Sequence, residues 1–289
     1  MLEQILSQAV PIQPLSSFSQ ADVLRLDQLH PLISGNKAFK LFGHLQQAHA
    51  AGAETLLSFG GPYSNHLHAL AAAGKYLALK TVGIIRGYQH LPLTPTLLDC
   101  QNMGMTLIFA DKKNYGRRYD KDYCSELAEC YQAYVIEEGG SGDEGEIGCR
   151  FLTQYCREYD QVWLAVGSGT TGLGLAKALT EEAEATPLIV GVNMVADHGE
   201  RLSDWRQKMP NSNWQLLDNY HCGGFAKFPD SLRGLIQRYD SQDLPLDPIY
   251  TAKLVNAFEQ ECELRPELRQ QRVLLIHSGG LQGRRGLGM

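Results

Sequence analysis

The chain has no C-x-x-C pair, and its seven cysteines (Cys100, Cys124, Cys130, Cys149, Cys156, Cys222 and Cys262) are an odd number. Neither a disulfide framework nor a zinc knuckle is indicated, which favours a reducing compartment. No stretch approaches the apolar length that spans a bilayer, and Glu3 and Gln4 stand where a signal peptide would carry a basic start and an apolar run. The expectation is a cytoplasmic protein with no membrane partner. No run of Lys and Arg forms a basic groove, and the formal net charge is -6, so nothing points to a nucleic-acid partner. Internal repeats, low-complexity tracts and long linkers are missing too. Ser64 lacks the G-x-S-x-G elbow of a hydrolase nucleophile. His66 and His68, two apart on an expected helix, fall on different faces and do not make a metal pair.

What is present reads as a soluble globular protein. The chain has 289 residues, 44% hydrophobic and 20% charged, enough for one large or two medium domains. Short apolar runs at Thr55 to Phe59, Thr81 to Ile85, Thr106 to Ala110 and Ala133 to Ile136 read as strands. Helical stretches lie between them: one after Ser64 to Leu77, one from Thr94 to Met103 and one from Asp120 to Gln132. After Gly139, Gly140, Ser141 and Gly142 a helix is expected from Asp143 to Tyr159. Strands are then expected at Val162 to Val166, Leu188 to Val195 and Val273 to Ile276, with helices at Gly172 to Ala183, Leu232 to Tyr239 and Tyr250 to Cys262. Such alternation predicts an α/β protein with mostly parallel sheets and helices on both faces.

Two segments suggest chemistry. Ser34, Gly35 and Asn36 run into an apolar set at helical spacing, so Lys37 opens a helix. The partial positive charge there disfavours a second one, and a neutral lysine amine suits carbonyl chemistry; a solvated lysine is the plainer reading. The second segment, Gly167, Ser168, Gly169, Thr170 and Thr171, lies between a strand and a helix, where N–H groups and hydroxyls can surround a phosphate. With Gly172 it also spells G-x-G-x-x-G, the dinucleotide fingerprint, but the next strand ends in Asn193 and Met194 rather than an acidic residue for a ribose. A structural glycine turn is the third possibility. Ser64, Asn65 and His66 at a helix start offer a further anion site and an amide that can bond a phenolate oxygen. With a terminal Ser278-Gly279-Gly280, these parts together fit an enzyme of pyridoxal 5'-phosphate.

The resemblance then becomes specific. Gly35-Asn36-Lys37 with Lys40, Gly60-Gly61 through Ser64-Asn65-His66, Gly139-Gly140-Ser141, the Gly167 to Thr171 loop, Asp247-Pro248-Ile249-Tyr250-Thr251 and His277-Ser278-Gly279-Gly280 resemble, in order, the motifs of the 1-aminocyclopropane-1-carboxylate deaminase/D-cysteine desulfhydrase family. That resemblance implies the tryptophan-synthase-like fold (fold type II): two three-layer open α/β domains, a large one from residues 1–45 and 156–289 and a smaller one inserted at 46–155, with the cofactor between them. It implies a homodimer and a small amino-acid substrate. Lys37 would hold the cofactor and later remove the substrate's Cα proton. Lys40, Gly167, Ser168, Gly169, Thr170 and Thr171 would hold its phosphate, Asn65 its phenolic oxygen, and Ser278 would lie at its pyridine nitrogen. Ser64, with neighbouring N–H groups, would take the substrate carboxylate and shuttle a proton. Asn65, His66, Phe225 and Tyr250 would also face the substrate, Tyr250 as acid for the leaving group.

Subgroups of the family differ at the pyridine nitrogen. Its deaminases carry Glu and Leu where this chain has Thr251 and Ser278, a pairing that resembles the desulfhydrases. A hydroxyl there moderates the electron sink, which suffices for expelling a β-thiol after Cα deprotonation but not as readily for opening a cyclopropane without a Cα hydrogen. The implied activity is D-cysteine desulfhydrase-like α,β-elimination to a 2-oxo acid and ammonia. Ring-opening deamination, a nicotinamide oxidoreductase and a ligand binder without turnover are the alternatives. Tyr63, where the family usually has Gln, and Phe225, in place of a tyrosine, depart from the pattern.

Overall fold

The computed structural model describes residues 2–182, 186–209, 211 and 213–288. Ten strands form two sheets among these residues: β1 (Ile12–Pro14), β2 (Ala21–Arg25), β3 (Thr55–Gly60), β4 (Lys80–Arg86), β5 (Met105–Ala110), β6 (Ala133–Ile136), β7 (Gln161–Val166), β8 (Leu188–Asn193), β9 (Trp214–Leu217) and β10 (Val273–His277). One sheet runs β1-β2-β10-β7-β8-β9 and the other β5-β4-β3-β6. Every pair is parallel except β1 with β2, where Gln13 faces Val23.

Both sheets are covered on two faces, because parallel strands joined by helices have no solvated side. In the six-stranded sheet Leu24, Leu164, Ile189 and Ile276 pack with Leu173 and Leu179 of the helix Thr170–Glu182, whereas Val23, Trp163, Val190 and Leu275 pack with Ile236, Leu254 and Phe258. The alternation follows from the two-residue period of a strand. In the four-stranded sheet Leu56 and Ile85 face Leu67 and Leu70, while Leu57, Phe59 and Val82 face Tyr115 and Tyr123. The fold is therefore the three-layer α/β arrangement the resemblance implies, with the strands between 55 and 136 in one sheet and the others in the second. No helix among the described residues is long and apolar enough to cross a membrane.

Two expectations need correction. The segment expected to run as one helix from Asp143 to Tyr159 is an α-helix only over Asp143–Cys149, followed by a 3-10 stretch Arg150–Tyr155. Within the α-helical part Gly145 and Gly148 press against the backbone of Gly140 and Phe39, a closeness no Cβ permits. The strand expected to reach Val195 ends at Asn193, whose side chain accepts from Val195 N at 3.0 Å and turns the chain. The strands β1, β2 and β9, three to five residues long, are too short to show a period, and the helix Glu200–Lys208 is mostly polar, so none of them is expected from the sequence.

In the six-stranded sheet the chain leaves β7 toward β8 and β9 and returns with β10 on β7's other side. Ligands of open α/β sheets lie outside the carboxyl ends of strands at such a switch point. The loops after β3, β6, β7 and β10 all start from carboxyl ends.

Candidate active site

Lys37 stands in the first turn of the helix Asn36–Ala50, as its sequence predicts. Gly35 caps that helix at φ +73° and lies so close to the Ser278 carbonyl that a Cβ would overlap it. Asn36 N donates to Ser278 O at 3.2 Å, so the loop after β10 seats the lysine helix. Lys37 Nζ, half-buried, donates to Asn36 Oδ1 at 3.1 Å, and Asn36 Nδ2 donates to Thr171 Oγ1 at 2.9 Å. Burial lowers the Lys37 pKa to about 8, while the negative charge of Cys149, were it ionised, and of Asp247 acts in the opposite direction. The depression thus has burial, rather than the helix terminus, as its leading cause.

One helical turn further on, Lys40 is 2% exposed and donates to Gly139 O at 3.2 Å and Ser168 Oγ at 2.9 Å. Both partners are neutral. Burial, then the nearby Lys37, pushes its pKa well below that of an ordinary lysine. Ser168 Oγ lies 3.0 Å from Thr170 Oγ1, which donates to Ser141 Oγ at 3.4 Å. Arg201 Nη1 donates to Ser168 O at 2.7 Å, and its buried Nε has no hydrogen-bond partner. Gly169 has φ +89° and its Cα faces Trp205, where a Cβ would come within 2.8 Å of the indole Nε1. The result is a cradle of hydroxyls and helix N–H groups with Lys40, which has only neutral oxygens in hydrogen-bond reach, and Arg201, whose Nε also stands 3.9 Å from Asp197 Oδ2. A phosphate fits it, because an anion there supplies the counter-charge that Lys40 lacks.

Ser64 caps the helix Asn65–Leu77 and accepts from Leu67 N at 3.2 Å, which leaves its own hydroxyl proton for another partner. Asn65 Oδ1 accepts from Gln282 Nε2 at 2.6 Å, and its Nδ2 lies over Gly280, 2.5 Å from where a Cβ would stand. His66 is turned inward: it is 2% exposed, with Nε2 2.9 Å from Ser58 Oγ and its ring beneath Gly140. Ser58 in turn donates to Ile136 O at 2.7 Å. Burial, reinforced by Lys37, holds the His66 pKa well below that of an ordinary histidine. The ring therefore backs the Gly139–Ser141 loop.

Tyr250 lies against Gly167, its Cε1 3.2 Å and its Oη 3.6 Å from the position of a Cβ there. Phe225, 49% exposed, meets it edge-on with ring centroids 6.0 Å apart. Burial, then Asp247 and Glu138, raises the Tyr250 pKa, which keeps the phenol protonated. Thr251 is 1% exposed and its hydroxyl is spent on Asp247, 2.8 Å from Oδ1 and 2.7 Å from the backbone N that it receives. Asp247 also accepts from the backbone N–H groups of Ile249, Tyr250 and Thr251. Thr251 is thus part of a helix cap, and of the two hydroxyls singled out from sequence only that of half-buried Ser278 stays uncommitted.

Asn36 links Lys37, Thr171 and Ser278, and Lys40 bonds Ser168, with Tyr250 against Gly167, Phe225 edge-on to Tyr250 and Asn65 over Gly280. Sequence reasoning missed Asn36 as a bridge, Arg201, Asp247 and Gln282. Asn36 sits inside the Gly-Asn-Lys motif and was open to recognition there. Arg201 comes from a helix with too little apolar pattern to be seen, and Gln282 from a 3-10 stretch without any.

With this geometry established, four similarities bear on the site. The family profile of pyridoxal-phosphate dependent enzymes matches residues 7–279. A Pyrococcus horikoshii protein named "Putative 1-aminocyclopropane-1-carboxylate deaminase" is 30% identical, over 94% of this chain and 90% of its own. The D-cysteine desulfhydrase of Klebsiella pneumoniae is 26% identical, over 89% of this chain and 86% of its own. The solved structure of an ACC deaminase homologue, 24% identical, superposes with a TM-score of 0.83 over 96% of this chain and 91% of that one.

Proposed function

The chain belongs to the family of pyridoxal-phosphate dependent enzymes, and from that premise we propose that it is a lyase that converts a small β-substituted amino acid to a 2-oxo acid and ammonia, as a D-cysteine desulfhydrase does. When bound, pyridoxal 5'-phosphate supplies an electron sink for the pair left at Cα on deprotonation. Lys40, Arg201, Ser168, Gly169, Thr170 and Thr171 bind its phosphate. Lys37 Nζ holds the cofactor and carries the Cα proton, a task suited to an amine whose pKa is lowered to about 8. Asn65 Nδ2 donates to the phenolic oxygen. Ser64 and the N–H groups of the helix it caps receive the substrate carboxylate, while His66 supports the glycine loop. Tyr250 Oη, kept protonated, gives its proton to the leaving group, and the Phe225 ring shields that proton from water. The two lobes, 1–45 with 156–289 and 46–155, would hold the cofactor between them; hydrogen exchange that protects both as a single cooperative unit would count against that division.

One observation carries the choice of elimination: Ser278 presents a hydroxyl at the end of β10, and the neighbouring carboxylate of Asp247 is consumed by its helix cap. Nothing then enforces a strongly protonated pyridine, so a substrate with a removable Cα proton and a good β leaving group is preferred. D-Cysteine and β-chloro-D-alanine should yield pyruvate and ammonia, with 1-aminocyclopropane-1-carboxylate turned over poorly. Ring opening faster than any elimination would reverse the assignment in favour of the deaminase reading, which the 30% identical relative supports. The seven free thiols suit the cytoplasm, which fractionation tests. We expect a homodimer, so light scattering at the 32.1 kDa mass of one chain would exclude it.

A further inference from the structure

We propose that Gln282 is a positioning residue that sets which side of the Asn65 amide faces the cofactor, held in place by the C-terminal segment acting as a strap. The 3-10 stretch Leu281–Leu287 leaves the loop after β10 at Gly280, whose φ is +89°, and crosses to the helix that Asn65 opens. There Gln282 Nε2 donates to Asn65 Oδ1 at 2.6 Å. An amide whose oxygen is taken on one side has its two N–H donors on the other. Nδ2 accordingly lies over Gly280, in space that only a missing Cβ leaves open.

The strap is tied at both edges of the site. Arg284 forms a two-pronged pair with Asp240, at 2.8 and 2.5 Å, at the end of the helix Ser231–Asp240 on the six-stranded sheet. The next residue, Arg285, pairs with Asp99 of the helix Pro95–Asn102 beside the four-stranded sheet, and its Nε donates to the Gln282 carbonyl at 3.2 Å. Asp99 also lies 3.5 Å from His68 Nε2, one turn along from Asn65. Tyr63 packs on Gly286, which has no Cβ to obstruct it. Partly exposed ion pairs of this kind stabilise a fold only weakly. Their geometric effect is that residues from both lobes fix the backbone of Gln282, and through it the direction of one amide.

The inference rests on the proposed contact of Asn65 with the phenolic oxygen. A donor at that oxygen favours its ionised form, so loss of the donor raises the pH at which the bound cofactor's two absorption bands exchange. The test is that spectral titration on holoenzyme, with thermal melting of each variant to verify folding. Asn65→Ala should raise the midpoint by about one pH unit or more, the worth of a charge-assisted hydrogen bond. Gln282→Leu should raise it in the same direction, and Gln282→Glu, similar in size but unable to donate when ionised, at least as far. In the Asn65→Ala background Gln282→Leu should change nothing further. An unmoved midpoint in Asn65→Ala would remove the placement of Asn65 and the inference with it. A shift in Asn65→Ala with none in either Gln282 variant, or shifts that simply add, would overturn the inference alone.

Discussion

Lys37 should be reactive as a free amine at a pH where ordinary lysines are not. With the pKa lowered to about 8 from 10.5, about 10% of the Lys37 amine is neutral at pH 7, against about 0.03% for an ordinary lysine, a ratio of about 300. Apoprotein pulsed with an amine-reactive reagent across a pH series, then digested and analysed by mass spectrometry, should show Lys37 labelling half-maximal near pH 8. Because Asp247 favours the charged form, Asp247→Asn should shift that midpoint lower still. The same depression makes a stability statement. Between about 8 and 10.5 the folded chain binds fewer protons at this site than the unfolded chain, so apoprotein stability gains from this residue as pH rises through that window, and the full penalty persists below it. A labelling midpoint at the ordinary lysine value would refute the reasoning, since it would mean that burial does not reach the amine.

Ser64→Ala removes a helix cap worth about 1 kcal/mol and a carboxylate contact worth roughly 1.5–3 kcal/mol, so kcat/KM on the best substrate should fall about 10- to 150-fold with a modest loss in melting temperature; full retention of kcat/KM would place the carboxylate elsewhere. Lys40→Met replaces a buried cation that has only neutral partners, so apoprotein melting should be unchanged or higher while affinity for pyridoxal 5'-phosphate drops at least about tenfold. Unchanged cofactor affinity in calorimetry would remove Lys40 from the phosphate site.

What could be read in the chain itself was whatever short-range rules decide. Turn formers before an apolar helical repeat placed Lys37 at a helix start, Ser64 proved to be the cap its position suggests, and the small residues from Gly167 to Thr171 do join β7 to a helix. Fully buried β3 and β7 stand out because a parallel strand is apolar on both faces. The weakly patterned parts were illegible for the complementary reason. β1 and β2 earn their place by pairing with each other and with β10, and the helix that carries Arg201 is mostly polar.

Only the tertiary structure decided what the groups do to one another. The lowering of the Lys37 pKa comes chiefly from the packing around it, which a helix-start argument does not contain. Thr251 looks like a site hydroxyl in sequence, yet three-dimensional closure of its helix commits it to Asp247. Gln282 stands 217 residues from the Asn65 it touches, and no periodicity or spacing relates two residues that meet only because strands from opposite ends of the chain converge on one site.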